Sequence, residues 1–271
     1  MYEIAVVIPS GDRTRDDSLA GLIQDLKGQT VPPREIEVVR GVSPSGKARN
    51  LGWRATTSEY IVFLDDDVRL GSPRVLETLI EALQQPGMGL SGTAQLLPED
   101  SSAFQKRCAQ QIPRSVSEIV SELTESDIVT TACCATRRSQ LEEVGGFHGE
   151  ILRGVDPELR QRYRARGYRI AVAPGIWHTH PMPASWSALW KMAYRNGYSS
   201  AFAQKNFPET VVYNPEGHVG EFEARPALWK RLGWRASGLL KAMIQGRLGG
   251  LIYDLAYLSG YLNFRWRQPR T

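Results

Sequence analysis

Several features that would settle a protein's class at a glance are scarce in this 271-residue sequence. Three cysteines, Cys108, Cys133 and Cys134, are too few for a disulfide framework, and no Cys/His spacing suited to zinc occurs, which points to reduced structural thiols. The opening stretch Met1-Tyr2-Glu3-Ile4 has neither a basic leader nor a cleavage signal and runs straight into a strand pattern, so the expected location is cytoplasmic. No apolar run reaches the ~20 residues that cross a bilayer; the longest nearly uncharged one, Leu248 to Phe264, is interrupted by Asp254. Acid is nearly missing from the tail. From Arg225 onward nine basic residues face Asp254 alone, a net of +8 in a chain whose total is +4, which leaves −4 for the rest. No nucleic-acid-binding motif accompanies that basicity, and no nucleic-acid partner is expected.

What remains is the composition of a folded protein, 42% hydrophobic and 23% charged. Ile4 to Ile8 is a β-branched apolar run ended by Pro9-Ser10-Gly11. Leu19, Leu22, Ile23 and Leu26 then recur at helical spacing, a second strand is expected at Glu35 to Val39, and a third at Tyr60 to Leu64. Alternating strands and helices over about 65 residues predict an α/β fold with a mostly parallel sheet. Further on, Val75 to Leu83 reads as a helix, Gly89 to Leu97 and Ile128 to Ala135 as strands, and Tyr168 to Val172 as another. Trp186 to Tyr194 reads as an aromatic-rich helix ending near Gly197. The expected organisation is a domain over 1–205 followed by a basic amphipathic helical extension over 206–271.

The third strand delivers three successive carboxylates, Asp65, Asp66 and Asp67. Anions this close repel one another, and a divalent cation, basic groups or full solvation must offset the repulsion; oxygen ligands suit Mg²⁺ or Mn²⁺. In such sheets ligands sit beyond the carboxyl ends of the strands. At that same edge Gly46-Lys47-Ala48-Arg49 offers flexible backbone and two cations to phosphates. Asp156, immediately before Pro157, has the position of a helix-capping carboxylate. His178 and His180 stand two apart at a strand end, the spacing that points both side chains one way.

Taken in order, these segments resemble the family 2 glycosyltransferases, which have the GT-A, Rossmann-like nucleotide-sugar-binding fold. The resemblance covers roughly Ile4 to Ala203. It is carried by Val6-Val7-Ile8-Pro9, by Ala48-Arg49-Asn50-Leu51-Gly52 followed by Tyr60 through Asp67, and by Gly145-Gly146-Phe147, Asp156-Pro157-Glu158-Leu159 and Arg166-Gly167-Tyr168-Arg169-Ile170. It implies an inverting, non-processive enzyme that uses a divalent metal, Mn²⁺ or Mg²⁺, to move sugar from a nucleoside diphosphate donor to an acceptor hydroxyl. Asp65 and Asp67 then correspond to the family's metal-binding Asp-any-Asp pair, with His178 as a third ligand ahead of His180, and Asp156 to the general base. Pro9, Asp12, Lys47, Arg49, Asn50, Asp65 and Asp66 fall on the donor side. Three positions depart from the pattern. Arg40-Gly41 replaces the carboxylate that reads the base, Val155 replaces the glutamate before the catalytic aspartate, and no Gln-any-any-Arg-Trp segment occurs. The first two departures also suit a lapsed domain that binds nucleotide sugar as a scaffold. The cationic tail fits the inner face of a membrane bearing a lipid-linked acceptor; packing on its own core or in a homodimer fits equally.

Overall fold

The computed structural model describes residues 2–207 except 12 and 113, residues 246–267, and positions 233, 237, 238 and 240. Asp12 and most of the basic tail lie outside the described residues. The chain forms two compact units, one comprising Met1–Pro98 and Val116–Pro181, the other including Glu99–Ser115 and the helices that follow Met182.

In the first unit, the apolar strand β1 (Ile4–Ser10) pairs in parallel with β2 (Glu35–Arg40) on one side and β3 (Tyr60–Leu64) on the other. Ile4 to Ile8 and all of β3 are buried, as expected of strands covered on both faces. Helix α1 (Asp16–Lys27) buries Leu19, Leu22 and Leu26. Helix α2 (Ser45–Ala55) lies so close to the sheet that a Cβ on Gly52 would stand 2.4 Å from Val7 Cγ1. After β3 a tight turn leads to the two-residue strand β4 (Arg69–Leu70), then to α3 (Val75–Leu83), whose Val75, Leu76, Leu79, Ile80 and Leu83 are all buried.

The sheet continues through β5 (Met88–Leu96), the short β6 (Thr124–Glu125), β7 (Cys133–Arg137) and β8 (Arg169–Thr179), in the order β2-β1-β3-β7-β5-β8-β4 with β6 also on β8. The strands β1, β2, β3, β5 and β8 run one way. β7 is antiparallel to both its neighbours, and β4 and β6 are antiparallel to β8. The sheet is therefore mixed but mostly parallel, as expected from sequence. Some local expectations change. The strand expected over Ile128 to Ala135 begins only at Cys133, so Thr131 sits in the loop before it. The helix α5 (Arg138–Glu143) follows β7 directly, and α6 (Val155–Ala165) starts one residue before Asp156, with Gly154 at its N-cap and φ of 76°.

In the second unit, α4 (Ala103–Gln111) is closed by a capping box between Ser102 and Gln105. Helix α7 (Trp186–Asn206) runs well past Gly197. That glycine is needed for close approach rather than to stop the helix. A Cβ there would lie 1.9 Å from the Tyr257 carbonyl oxygen of α8 (Leu248–Arg267), and one on Gly260 would lie 2.0 Å from that of Tyr194. The buried face of α8 carries Gly249, Ala256, Gly260 and Phe264, while Leu248, Leu255, Leu258, Leu262 and Trp266 are exposed. Among the described residues no helix is long and apolar enough to cross a membrane.

Candidate active site

The acidic turn is built by the sheet edge itself. The Asp65 amide donates to the Ala132 carbonyl at 3.1 Å, which ties the end of β3 to the residue before β7. Four residues on, β4 pairs antiparallel with the last residues of β8, Arg69 opposite Thr179 and Leu70 opposite His178. That pairing brings the chain just beyond β8 back over the turn. His180 Nε2 then lies 3.3 Å from Asp67 Oδ1, an oxygen that is otherwise buried without a hydrogen-bond partner. One ligand atom each from Asp65, Asp67 and His180 can be chosen so that all three lie within 4.8 Å of one another. Two carboxylates and an imidazole this close suit a divalent first-row ion, so the residues present fit the metal that the sequence resemblance implies.

The sequence puts His178 ahead of His180 as the third ligand, whereas the histidine that lies beside Asp65 and Asp67 is His180. His178 is still within β8 and 1% exposed; its Nδ1 is 2.6 Å from Thr93 Oγ1. Burial, with a smaller contribution from His180, pulls its pKa down to about 3, against an opposing interaction with the Ala94 backbone carbonyl, so the ring stays neutral. His180 lies past the end of the strand, where alternation no longer fixes its direction.

Arg49, expected on the donor side, is buried. Helix α2 turns Ala48, Arg49, Gly52 and Trp53 inward together. The guanidinium reaches Asp65 Oδ1 at 2.6 Å, points a second contact at the Thr131 carbonyl at 3.5 Å, and lies 5.6 Å from the Phe147 ring centroid. Burial pushes the Asp65 carboxyl above its ordinary range, with Arg49 opposing that shift. Lys47 stays exposed on the first turn of α2. Asn50, another expected donor contact, instead clamps the loop before α6. Its Nδ2 donates to the Phe147 carbonyl at 2.7 Å, and its Oδ1 accepts from the Phe147 amide at 2.8 Å and from Trp53 Nε1 at 3.0 Å. Gly146, with φ of 72°, passes so near that a Cβ would stand 2.6 Å from that Oδ1. Two separated motifs of the sequence are thus one structural joint.

On the opposite side of Arg49, Asp156 is not a capping group. It lies inside the first turn of α6, and its Oδ1 accepts from the Thr131 hydroxyl at 2.6 Å and from the Thr131 amide at 3.1 Å. Thr131 therefore contacts Arg49 through its carbonyl and Asp156 through its donors, linking the two carboxylate centres. Pro9 is partly exposed near the end of β1, opposite Val39. Arg40, in the place of the expected base-reading carboxylate, pairs with Asp16 at 2.8 Å.

Sequence reasoning missed Arg15 and Thr131. Arg15 Nη1 lies 2.7 Å from Asp66 Oδ1 and 2.8 Å from Asp67 Oδ2, and Asp66 is 3% exposed. Nothing in the run Arg13-Thr14-Arg15-Asp16 singles out one arginine from its neighbours, and Thr131 was hidden inside an expected strand.

A sheet of this order, with its carboxylates and histidine gathered at one edge, is the GT-A fold of nucleotide-sugar-dependent glycosyltransferases. Solved structures with the same fold include a mannosyltransferase, PcManGT from Pyrobaculum calidifontis in complex with GDP-Man and Mn²⁺, with a TM-score of 0.62 at 13% identity over 99% of this chain and 89% of that one. Another is S. aureus TarS 1-349, with a TM-score of 0.50 at 12% identity over 98% and 92%. Residues 3–199 match the profile of glycosyltransferase-like family 2, and the chain belongs to that family. It is also 28% identical over 182 residues to the O-antigen biosynthesis protein RfbC of Myxococcus xanthus, a match covering 61% of this chain and 14% of that protein.

Proposed function

We propose that the protein transfers a sugar from a nucleoside diphosphate donor to an acceptor hydroxyl with inversion at the anomeric carbon. The observation that carries this reading is the connected set Asp67–His180 and Asp65–Arg49–Thr131–Asp156, which places a metal-competent group and a separately held carboxylate on one sheet edge. Asp65, Asp67 and His180 would hold the ion, and the imidazole favours Mn²⁺ over Mg²⁺, which prefers an all-oxygen shell. The metal supplies positive charge against the charge that develops on the departing nucleoside diphosphate. Lys47, exposed near that edge, serves the donor's phosphates.

Asp156 is the general base. Thr131 occupies one of its oxygens with two donors, which fixes the carboxylate plane and leaves Oδ2 to accept the acceptor's proton. Arg49, buried between Asp65 and Thr131, keeps Asp65 oriented without itself contacting substrate. The acceptor is a hydroxyl-bearing glycan or glycolipid, a class supported by the RfbC relative's name. A peripheral membrane contact through the exposed leucines of α8, flanked by Arg265 and Arg267, belongs to the same reading; co-sedimentation with anionic but not zwitterionic vesicles checks it.

A thermal-shift screen of nucleoside diphosphates with Mn²⁺, repeated with a chelator, tests the donor half of this proposal. Stabilisation by at least one nucleotide, abolished by the chelator, is expected. Stabilisation that survives chelation would remove the metal from the account. The lapsed-scaffold reading, motivated by Val155 and Arg40, separates in a second step: it gives the same shift with no release of nucleoside diphosphate from any donor.

A further inference from the structure

One guanidinium bridges the two carboxylates that follow Asp65. Nη1 of Arg15 contacts both Asp66 and Asp67, and the Arg15 side chain is 50% exposed whereas those of Asp66 and Asp67 are 4% and 12% exposed. The anions are fixed by the turn between β3 and β4, and the cation reaches them from solvent. Arg49 neutralises one of the three carboxylates from beneath, leaving two negative charges for which Arg15 supplies a single positive one. Asp67 is divided between two partners. Its Oδ2 faces Arg15, and its Oδ1 faces His180 within the metal-competent group.

We propose that Arg15 is a resident counter-cation: it holds Asp66 and Asp67 in the ligand-free protein, competes with a divalent ion for Asp67, and passes to the donor's diphosphate when donor and ion bind. The inference rests on the function proposed above and adds a residue and an order of events to it. A divalent ion at Asp65 and Asp67 would place two positive charges within a few ångströms of Nη1 and remove the potential that draws Arg15 inward. The incoming diphosphate then offers the guanidinium the planar, bidentate oxygen geometry it prefers, beside the position it already occupies. Because its side chain is half exposed, Arg15 can make this exchange without disturbing the core.

Isothermal titration separates the two halves of the proposal by sign. For Mn²⁺ alone, Arg15→Gln should bind about tenfold tighter than wild type, because the competing cation is gone. For UDP and GDP at saturating Mn²⁺, whichever the wild type takes should bind about tenfold weaker to Arg15→Gln, one charge-assisted contact having been lost. Arg15→Lys keeps a cation over the cluster but not the planar fork, so its Mn²⁺ affinity should stay near wild type while its nucleotide affinity falls. Equal or weaker Mn²⁺ binding by Arg15→Gln overturns the competition, and unchanged nucleotide binding by both variants overturns the transfer. Wild-type protein that takes neither Mn²⁺ nor either nucleotide instead overturns the underlying function, and this inference with it.

Discussion

Truncating Asn50 should cost stability rather than donor affinity. Asn50→Ala removes three hydrogen bonds of 2.7, 2.8 and 3.0 Å and leaves the Phe147 amide, the Phe147 carbonyl and Trp53 Nε1 without them. Phe147 is 4% exposed and Trp53 5%, so water does not readily replace the lost partner. An orphaned buried polar group costs about 1–3 kcal/mol, and the low end for three groups gives roughly 3 kcal/mol. That is a large part of the ~5–15 kcal/mol that holds a typical domain together. At about 2–4 °C per kcal/mol for a chain of this size, Tm should fall by roughly 6 °C or more in circular-dichroism melts. Asn50→Asp should fall as far, because it sets a carboxylate oxygen against the Phe147 carbonyl where the amide now donates. Leu51→Ala, at a neighbouring exposed site, should change stability by less than about 0.5 kcal/mol. A Tm for Asn50→Ala within about 2 °C of wild type would refute the joint between α2 and the loop preceding α6.

Other expectations follow from the same geometry. Asp156→Asn should lower transfer by about 10²–10⁴-fold with the fold intact, and Thr131→Val by about tenfold with donor KM unchanged, as steady-state assays would register. Glu35 is pushed up by burial, but hydrogen bonds from Ser58 and Thr57 outweigh this and hold it below the ordinary carboxylate value. Its native charge therefore stabilises the fold above the unfolded pKa of about 4.3, and that stabilisation is lost as pH falls through the lower native value. The stability gap between wild type and Glu35→Gln, read from urea melts, should accordingly be full at neutral pH and close in acid. Burial pushes Cys133 up to about 12 and raises Cys134 and Cys108 as well, so a thiol reagent at mildly alkaline pH should label none of the three in native protein and all three in guanidinium chloride.

The parts of the fold visible in sequence were those whose signal is local. Tyr60 to Leu64 is an uninterrupted apolar run and became β3 with those limits, and the periodicity of Val75 to Leu83 became α3. The site was visible as a set of residue types and not as a set of directions. Asp65, Asp67 and Asp156 lie at one edge, but Arg49 was read as a donor contact because it is a cation at that edge, and Asn50 because the family resemblance puts it on the donor side. Their real destinations, Asp65 and Phe147, depend on how α2 rolls against β1. His178 and His180 are two residues apart, and alternation alone would send them the same way. The end of β8 falls between them, so one ring entered the core and the other reached Asp67. Arg15 carried no signal, since its role exists only once the loop after β1 lies beside the turn after β3.

The most direct measurement is release of nucleoside diphosphate from a panel of nucleotide sugars and hydroxyl acceptors, with Mn²⁺, by wild type and by Asp67→Asn. The account predicts turnover of at least one donor by wild type, none in chelator, and a loss of at least about 10²-fold in the variant. Undiminished turnover in chelator, or an Asp67→Asn protein as fast as wild type, would contradict it.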